Sequence, residues 1–196
     1  VKRILFLGSS VTYGVNGRSF VEMLAESGRY ECEKLAVSGT TLVDLDRASY
    51  VSRLRDYVPK KPVDLLVVQL STNDASRALP LGTPENNSDG GFDTSTVCGA
   101  VEWIISYGRS TLGCPVAFYT GTKYNSPRYA DMVRSLLLIA GEWGVPVLDL
   151  WHDDEMNAVS EEDYRRFMAD PIHPTEEGYR LWWLRKFEQF LERQTN

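Results

Sequence analysis

Apolar residues in this chain fall into short, nearly unbroken runs separated by stretches in which they recur three and four positions apart. Ile4-Leu5-Phe6-Leu7 opens the chain, and Leu65-Leu66-Val67-Val68-Gln69-Leu70, entered through Asp64, is the strongest such run. Runs this short with so little polar alternation fit parallel strands covered on both faces, and the run from Asp64 to Leu70 is expected in the middle of the sheet. Lys2 to Leu7, Cys32 to Val37, Pro115 to Thr120 and Val145 to Leu150 complete five predicted strands. Helices are predicted between them. Ser19-Phe20-Val21-Glu22 has capping-box spacing and opens a helix that stops near Gly28, and a second runs from about Leu42 to Tyr57, closed by Pro59. Asp93 caps a helix from Thr94 to Thr111, and Ser126-Pro127 starts another that ends at Trp143 before Gly144. Ser160-x-x-Asp163 opens a short helix over Glu161 to Met168. A final amphipathic helix from Glu176 carries Trp183, Leu184, Phe187, Phe190 and Leu191 on one face. Strands alternating with helices predict a three-layer α/β/α sandwich with right-handed crossovers.

One connection stands apart. Ser71 to Phe92 holds Pro80, Gly82, Pro84, Asn86-Asn87 and Gly90-Gly91, and is longer than a structural link requires, as lids and substrate walls often are. The 196 residues suit one domain with a full core, so residues 1–196 are read as a single domain without internal repeats. The net charge of −6 argues against a nucleic-acid surface, because Lys60-Lys61 and Arg165-Arg166 are too short to form a basic stripe. No apolar run is long enough to span a bilayer. Cys32, Cys98 and Cys114 leave one thiol unpaired in any pairing and have no metal-type spacing, so a reducing, cytoplasmic setting is the simpler expectation. The chain starts at Val1 rather than at methionine, which leaves a removed upstream leader open.

The chemistry concentrates at the first predicted strand end, Gly8-Ser9-Ser10-Val11-Thr12-Tyr13-Gly14. In open α/β sheets, loops and helix N-termini converge on the carboxyl edge, so a hydroxyl delivered there is a candidate nucleophile. A serine needs a base and the base needs an orienting acceptor. Asp170-Pro171-Ile172-His173-Pro174 supplies both three residues apart, with the prolines biasing Asp170 and His173 away from helix. Gly39 after the second strand and Asn73 after the third add donors: a glycine N–H approaches closely, and an asparagine amide donates without charge. With the Ser10 N–H they could form the oxyanion site that ester hydrolysis demands.

In this order the four blocks Gly8-Ser9-Ser10-Val11-Thr12-Tyr13-Gly14, Val37-Ser38-Gly39-Thr40-Thr41, Ser71-Thr72-Asn73-Asp74 and Asp170-Pro171-Ile172-His173-Pro174 resemble those of the SGNH hydrolases, the GDSL-type esterases and lipases. The resemblance implies a flavodoxin-like five-stranded parallel sheet in the order 2-1-3-4-5. It implies Ser10 as nucleophile, His173 as base, Asp170 as its orienter, and Ser10, Gly39 and Asn73 as oxyanion donors. It implies no metal and no organic cofactor. Two positions depart from the family pattern: Ser9 stands where Asp is usual, and Ser71 where Gly is usual. Ser9 thereby becomes a rival nucleophile, although only one of two neighbouring side chains can face His173. An α/β-hydrolase also orders its triad Ser-Asp-His, but its Gly-x-Ser-x-Gly elbow is absent.

The expected activity is hydrolysis of small acyl esters, such as acetyl on a carbohydrate or a small lipid ester, falling on mild acidification as the base protonates. An acyltransferase or thioesterase using the same groups, and a catalytically inert binding module, are the alternatives. A nucleotide or flavin binder is disfavoured by the missing Gly-x-Gly-x-x-Gly and P-loop motifs. Tyr13, Tyr124 and Trp151 each follow a predicted strand and could line the substrate pocket or pack its rim. His152 reads as a surface loop residue, and Asp74 as an acceptor holding the Asn73 turn.

Overall fold

The computed structural model describes residues 1–86 and 91–196. Five strands, β1 (Lys2–Gly8), β2 (Tyr30–Ala36), β3 (Leu65–Gln69), β4 (Val116–Tyr119) and β5 (Val147–Leu148), form one sheet in the order β2-β1-β3-β4-β5, every pair parallel. The strand order is the one the resemblance implied. Because all strands run the same way, Gly8, Ala36, Gln69, Tyr119 and Leu148 end on one edge. Pairing across the sheet is in step: Leu5 lies opposite Glu33 and Leu66, and Val68 opposite Phe118.

The strand alternation sorts the core into two halves. Leu5, Leu7, Leu66, Val68, Val116 and Phe118 face one side, where α3 (Tyr50–Asp56), α5 (Val97–Tyr107) and α6 (Pro127–Trp143) bring Tyr50, Leu54, Ile104, Ile105, Leu136 and Ile139. Ile4, Phe6, Leu65, Val67, Ala117 and Tyr119 face the other, under α2 (Phe20–Glu26) and the last helix α10 (Leu184–Thr195). On that side Phe20 stacks on Phe187 at 3.8 Å between ring centres and meets Tyr119 edge-on. Trp183, Phe187, Phe190 and Leu191 are buried as their spacing predicts, whereas Leu184 is only half-buried.

Several bounds differ from those read in the sequence. The helix expected from Leu42 begins only at Tyr50, and the preceding stretch is held as a loop in which the Leu42 and Val43 amides donate to the Asp74 carboxylate. The fifth strand pairs only over Val147–Leu148. The helix capped by Asp93 in the sequence reading starts at Val97 under Thr96, whose hydroxyl accepts the Gly99 amide. Two short helices appear where turns were expected: α1 (Ser10–Tyr13) follows β1, and α4 (Thr72–Ser76) follows β3. The long connection leaves α4 and is anchored by the buried Glu102 carboxylate, which accepts the Glu85 and Asn86 amides and the Trp143 indole N–H. Its Asn87 and Gly90 turn signals lie outside the described residues. Three further short helices, α7 (Asp154–Asn157), α8 (Glu161–Phe167) and α9 (Glu176–Gly178), lead into α10 through a π-helical segment, Tyr179–Trp183. Among the described residues no helix is long and apolar enough to cross a membrane.

Candidate active site

The turn after β1 is built tightly enough to leave one serine free. Gly8 is dictated by packing, since a Cβ there would run into the Thr12 side chain. Gln69, at the end of β3, sits beneath the turn: its Oε1 accepts the Ser9 amide (3.0 Å), the Thr12 amide (3.1 Å) and the Thr12 hydroxyl (2.7 Å). The Tyr119 hydroxyl donates to Thr12 Oγ1 at 2.6 Å, and Tyr179, from the π-helical segment, donates to the Val11 carbonyl. Ser9 is fully buried, its hydroxyl oxygen accepting from Gln69 Nε2 and the Tyr50 hydroxyl. The rival nucleophile is therefore a strut of this network, and Ser10 opens α1 with its side chain outward. Nothing in the apolar run of β3 marks Gln69 beyond its being the polar residue at the strand's end.

Asp170 to His173 form the tip of a loop closed by a backbone bridge between Met168 and Pro174, with the Ala169 amide on the His173 carbonyl. Asp170 Oδ1 accepts the amides of Ile172 and His173, both at 2.8 Å, and its two oxygens lie 2.9 and 2.8 Å from His173 Nδ1. Burial pushes the Asp170 carboxyl up, but those two amides and the imidazole outweigh it and hold the carboxyl below its ordinary value. An ionised carboxylate only accepts, so in the neutral imidazole Nδ1 carries the proton and Nε2 keeps its lone pair. Ser10 Oγ lies 2.8 Å from His173 Nε2, across 163 positions of sequence.

On the β2 side of Ser10 the loop holding Gly39 is fixed by the third block. Asp74, buried, grips the Leu42 and Val43 amides, and burial raises its carboxyl above the ordinary value despite those amides. Asn73 Nδ2 donates to the Thr40 carbonyl at 2.9 Å, and Arg77 to the Gly39 carbonyl at 2.8 Å. Gly39 itself adopts φ +78°, a conformation favouring glycine. Ser71, the second departure from the family pattern, caps α4 by accepting the Asn73 amide, which gives its hydroxyl a local structural use.

The three aromatic candidates separate. Tyr124 lines a narrow cavity with Val11, Thr72 and Ile172, the immediate neighbours of Ser10, Asn73 and His173. Trp151 packs edge-on against Tyr124, 5.7 Å between centres, and both floor an adjoining shallow groove of about 440 Å3. Tyr13 lies instead against Lys34, whose ammonium is 5.5 Å from its ring and is bonded to the Tyr13 and Gly17 carbonyls. A roomier cavity, about 630 Å3, is at the opposite edge of the sheet among Lys2, Tyr30, Asp64 and Glu192, and neither histidine lines it. His152 is exposed and bonded to Asp149. Cys98 and Cys114 are buried and free, and burial raises the half-buried Cys32 thiol to about 12, so none offers a ready thiolate. Among the described residues no three His, Cys, Asp or Glu side chains are grouped to hold a metal.

The sequence profile of the GDSL-like lipase/acylhydrolase family matches residues 6–181. The chain belongs to that family. The solved structures agree on the fold of this GDSL-like chain. A protein from Lactobacillus plantarum is 24% identical with a TM-score of 0.80, over 98% of this chain and 97% of its own. A member of the lipolytic G-D-S-L family from Veillonella parvula is 16% identical with a TM-score of 0.68, over 98% and 100%. An acetyl xylan esterase, AlAXEase, is 15% identical with a TM-score of 0.69, over 96% and 99%. No curated protein matches the chain. Membership of the GDSL-like lipase/acylhydrolase family makes this chain a hydrolase of the ester-acting kind.

Proposed function

We propose that the protein is a serine esterase for short acyl groups, with Ser10 as nucleophile, His173 as base and Asp170 as the group that orients and stabilises the imidazole. One observation carries the reading: the continuous relay from Asp170 through His173 Nδ1 and Nε2 to Ser10 Oγ, each link 2.8 to 2.9 Å. Ser10 Oγ attacks the ester carbonyl while its proton moves to Nε2, giving a tetrahedral adduct whose oxyanion takes hydrogen bonds from the Ser10 and Gly39 N–H groups and from Asn73 Nδ2. Collapse of the adduct breaks the bond to the alcohol, which leaves with the proton from Nε2. Water, deprotonated by the same nitrogen, then attacks the acyl-enzyme and releases the acid and Ser10.

The preference for short acyl groups rests on space. The cavity between Val11, Thr72, Tyr124 and Ile172 leaves about 10 Å3, the room of about one water. An acetyl methyl is of that size, and a longer chain would have to lie in the adjoining groove over Tyr124 and Trp151. Hydrolysis of p-nitrophenyl esters of graded chain length and of acetylated sugars tests the reading. Acetate is expected to exceed hexanoate in kcat/KM, and Ser10→Ala to abolish turnover of both. Undiminished hydrolysis by Ser10→Ala refutes the mechanism, and a preference for hexanoate refutes the short-acyl assignment alone.

A further inference from the structure

The arginines of this chain fall into two kinds. Arg3, Arg18 and Arg29 each rest on glutamates at or near the surface. Arg53, on α3, does not. Its Nε donates to the Ala48 carbonyl at 2.7 Å, its Nη1 to the Leu35 carbonyl at 2.6 Å, and its Nη2 to the Gly8 carbonyl at 2.8 Å and the Thr40 hydroxyl at 3.1 Å. Every acceptor is neutral, and the guanidinium also lies 5.4 Å from the ring of Tyr50, which in turn bonds Ser9. No carboxylate among the described residues pairs with it, so a half-buried positive charge stands uncompensated. An arginine in such a place stays ionised.

Its position gives the charge a use. Leu35 and Gly8 lie at the carboxyl ends of β2 and β1, Thr40 directly follows Gly39, and Gly8 is two residues before Ser10. The guanidinium thus ties together, from the α3 side, the strand ends that lead into the two stretches of chain carrying the Ser10 and Gly39 N–H groups. Those donors are neutral, whereas the tetrahedral adduct places a full negative charge in front of them. A fixed cation behind preorganised dipoles favours that charge and gives little to a neutral ester, and its effect grows where water is excluded.

We propose that Arg53 is a positioning residue of the esterase, which fixes the strand ends that present the oxyanion donors and lends its charge to the transition state through them. The inference rests on the Ser10 mechanism proposed above. Kinetics on p-nitrophenyl acetate with wild type, Ser10→Ala, Arg53→Gln and Arg53→Lys keep the two apart. Arg53→Gln is expected to lower kcat about tenfold with KM within about twofold, and Arg53→Lys, which keeps the charge without the fork of donors, to recover part of the loss. Inhibition by a small alkylboronic acid, which becomes a tetrahedral anion on Ser10, should weaken in Arg53→Gln by about the same factor as kcat. Thermal melting identifies the folded variants, and Arg53→Met replaces Arg53→Gln as the neutral member if the latter does not fold. A folded neutral variant with kcat within twofold of wild type overturns the inference. So does an Arg53→Lys enzyme as impaired as the neutral one, because shape alone would then account for the loss. A wild type that is inert, or that keeps its activity in Ser10→Ala, removes the underlying mechanism and the inference with it.

Discussion

The chain contains the same four-residue device twice. Asp149-Leu150-Trp151-His152 and Asp170-Pro171-Ile172-His173 both place an aspartate three residues before a histidine. In both, one carboxylate oxygen accepts the histidine amide and the carboxylate bonds the imidazole Nδ1, at 2.7 Å in the first and 2.8 Å in the second. Locally they are near copies. The difference is what lies beyond Nε2. His152, four residues beyond the edge strand β5, is 54% exposed in its side chain, while His173 has Ser10 Oγ at 2.8 Å. A motif therefore prepares a tautomer, and only the placement of the second loop beside the turn after the interior strand β1 brings a hydroxyl to Nε2.

The two copies define their own controls. Replacing His173 with alanine should cost the largest factor, about 10^4-fold or more in kcat, because the serine then lacks its base, whereas His152→Ala should stay within about twofold. Steady-state kinetics on a common ester would break the comparison if both losses were alike. Next in size is the carboxylate pair: Asp170→Asn should lower kcat by about 10^2- to 10^4-fold with KM little changed, through the wrong tautomer, while Asp149→Asn should be silent. Restored activity in Asp170→Asn on raising the pH would instead assign the aspartate a purely electrostatic part.

A smaller effect is expected from the loop that carries Gly39. Both Asp74 oxygens accept backbone N–H groups, and an asparagine must turn its NH2 toward one of them. Asp74→Asn should destabilise the fold by about 1–3 kcal/mol, read by urea unfolding, and lower kcat less than Asp170→Asn does. An unchanged unfolding midpoint would show that the loop does not depend on this grip. The smallest difference concerns acid. The Asp170 carboxyl titrates below its unfolded value of about 3.9, so its contribution to stability is fully present above about pH 4 and is lost as pH falls through the lower, folded value. The melting temperatures of wild type and Asp170→Asn should differ slightly at neutral pH and converge in strong acid. A gap that widens on acidification contradicts the direction of that shift.

Much of this was legible in the sequence. The apolar runs located the five strands, and the four short blocks marked the residues that meet at their carboxyl edge. What stayed hidden depends on partners far along the chain. Leu42 and Val43 look like the start of a helix until Asp74, more than thirty residues later, takes their amides. Gln69 looks like one more residue of a buried strand, yet its side chain holds three donors of the turn after β1 and, with Tyr50, keeps Ser9 buried while Ser10 faces His173. Arg53 looks like one more exposed helix charge. Tyr13 follows the first strand just as Tyr124 follows the fourth, and only the fold shows one against Lys34 and the other on the narrow cavity.

The central claim is that His173 makes the hydroxyl of Ser10, and of no other residue, nucleophilic. Reaction with a small fluorophosphonate followed by peptide mapping tests it most directly. The account predicts one adduct, on Ser10, still formed in Ser9→Ala and slowed by several orders of magnitude in His173→Ala. An adduct on a different residue, or labelling of Ser10 at the wild-type rate without His173, would contradict it.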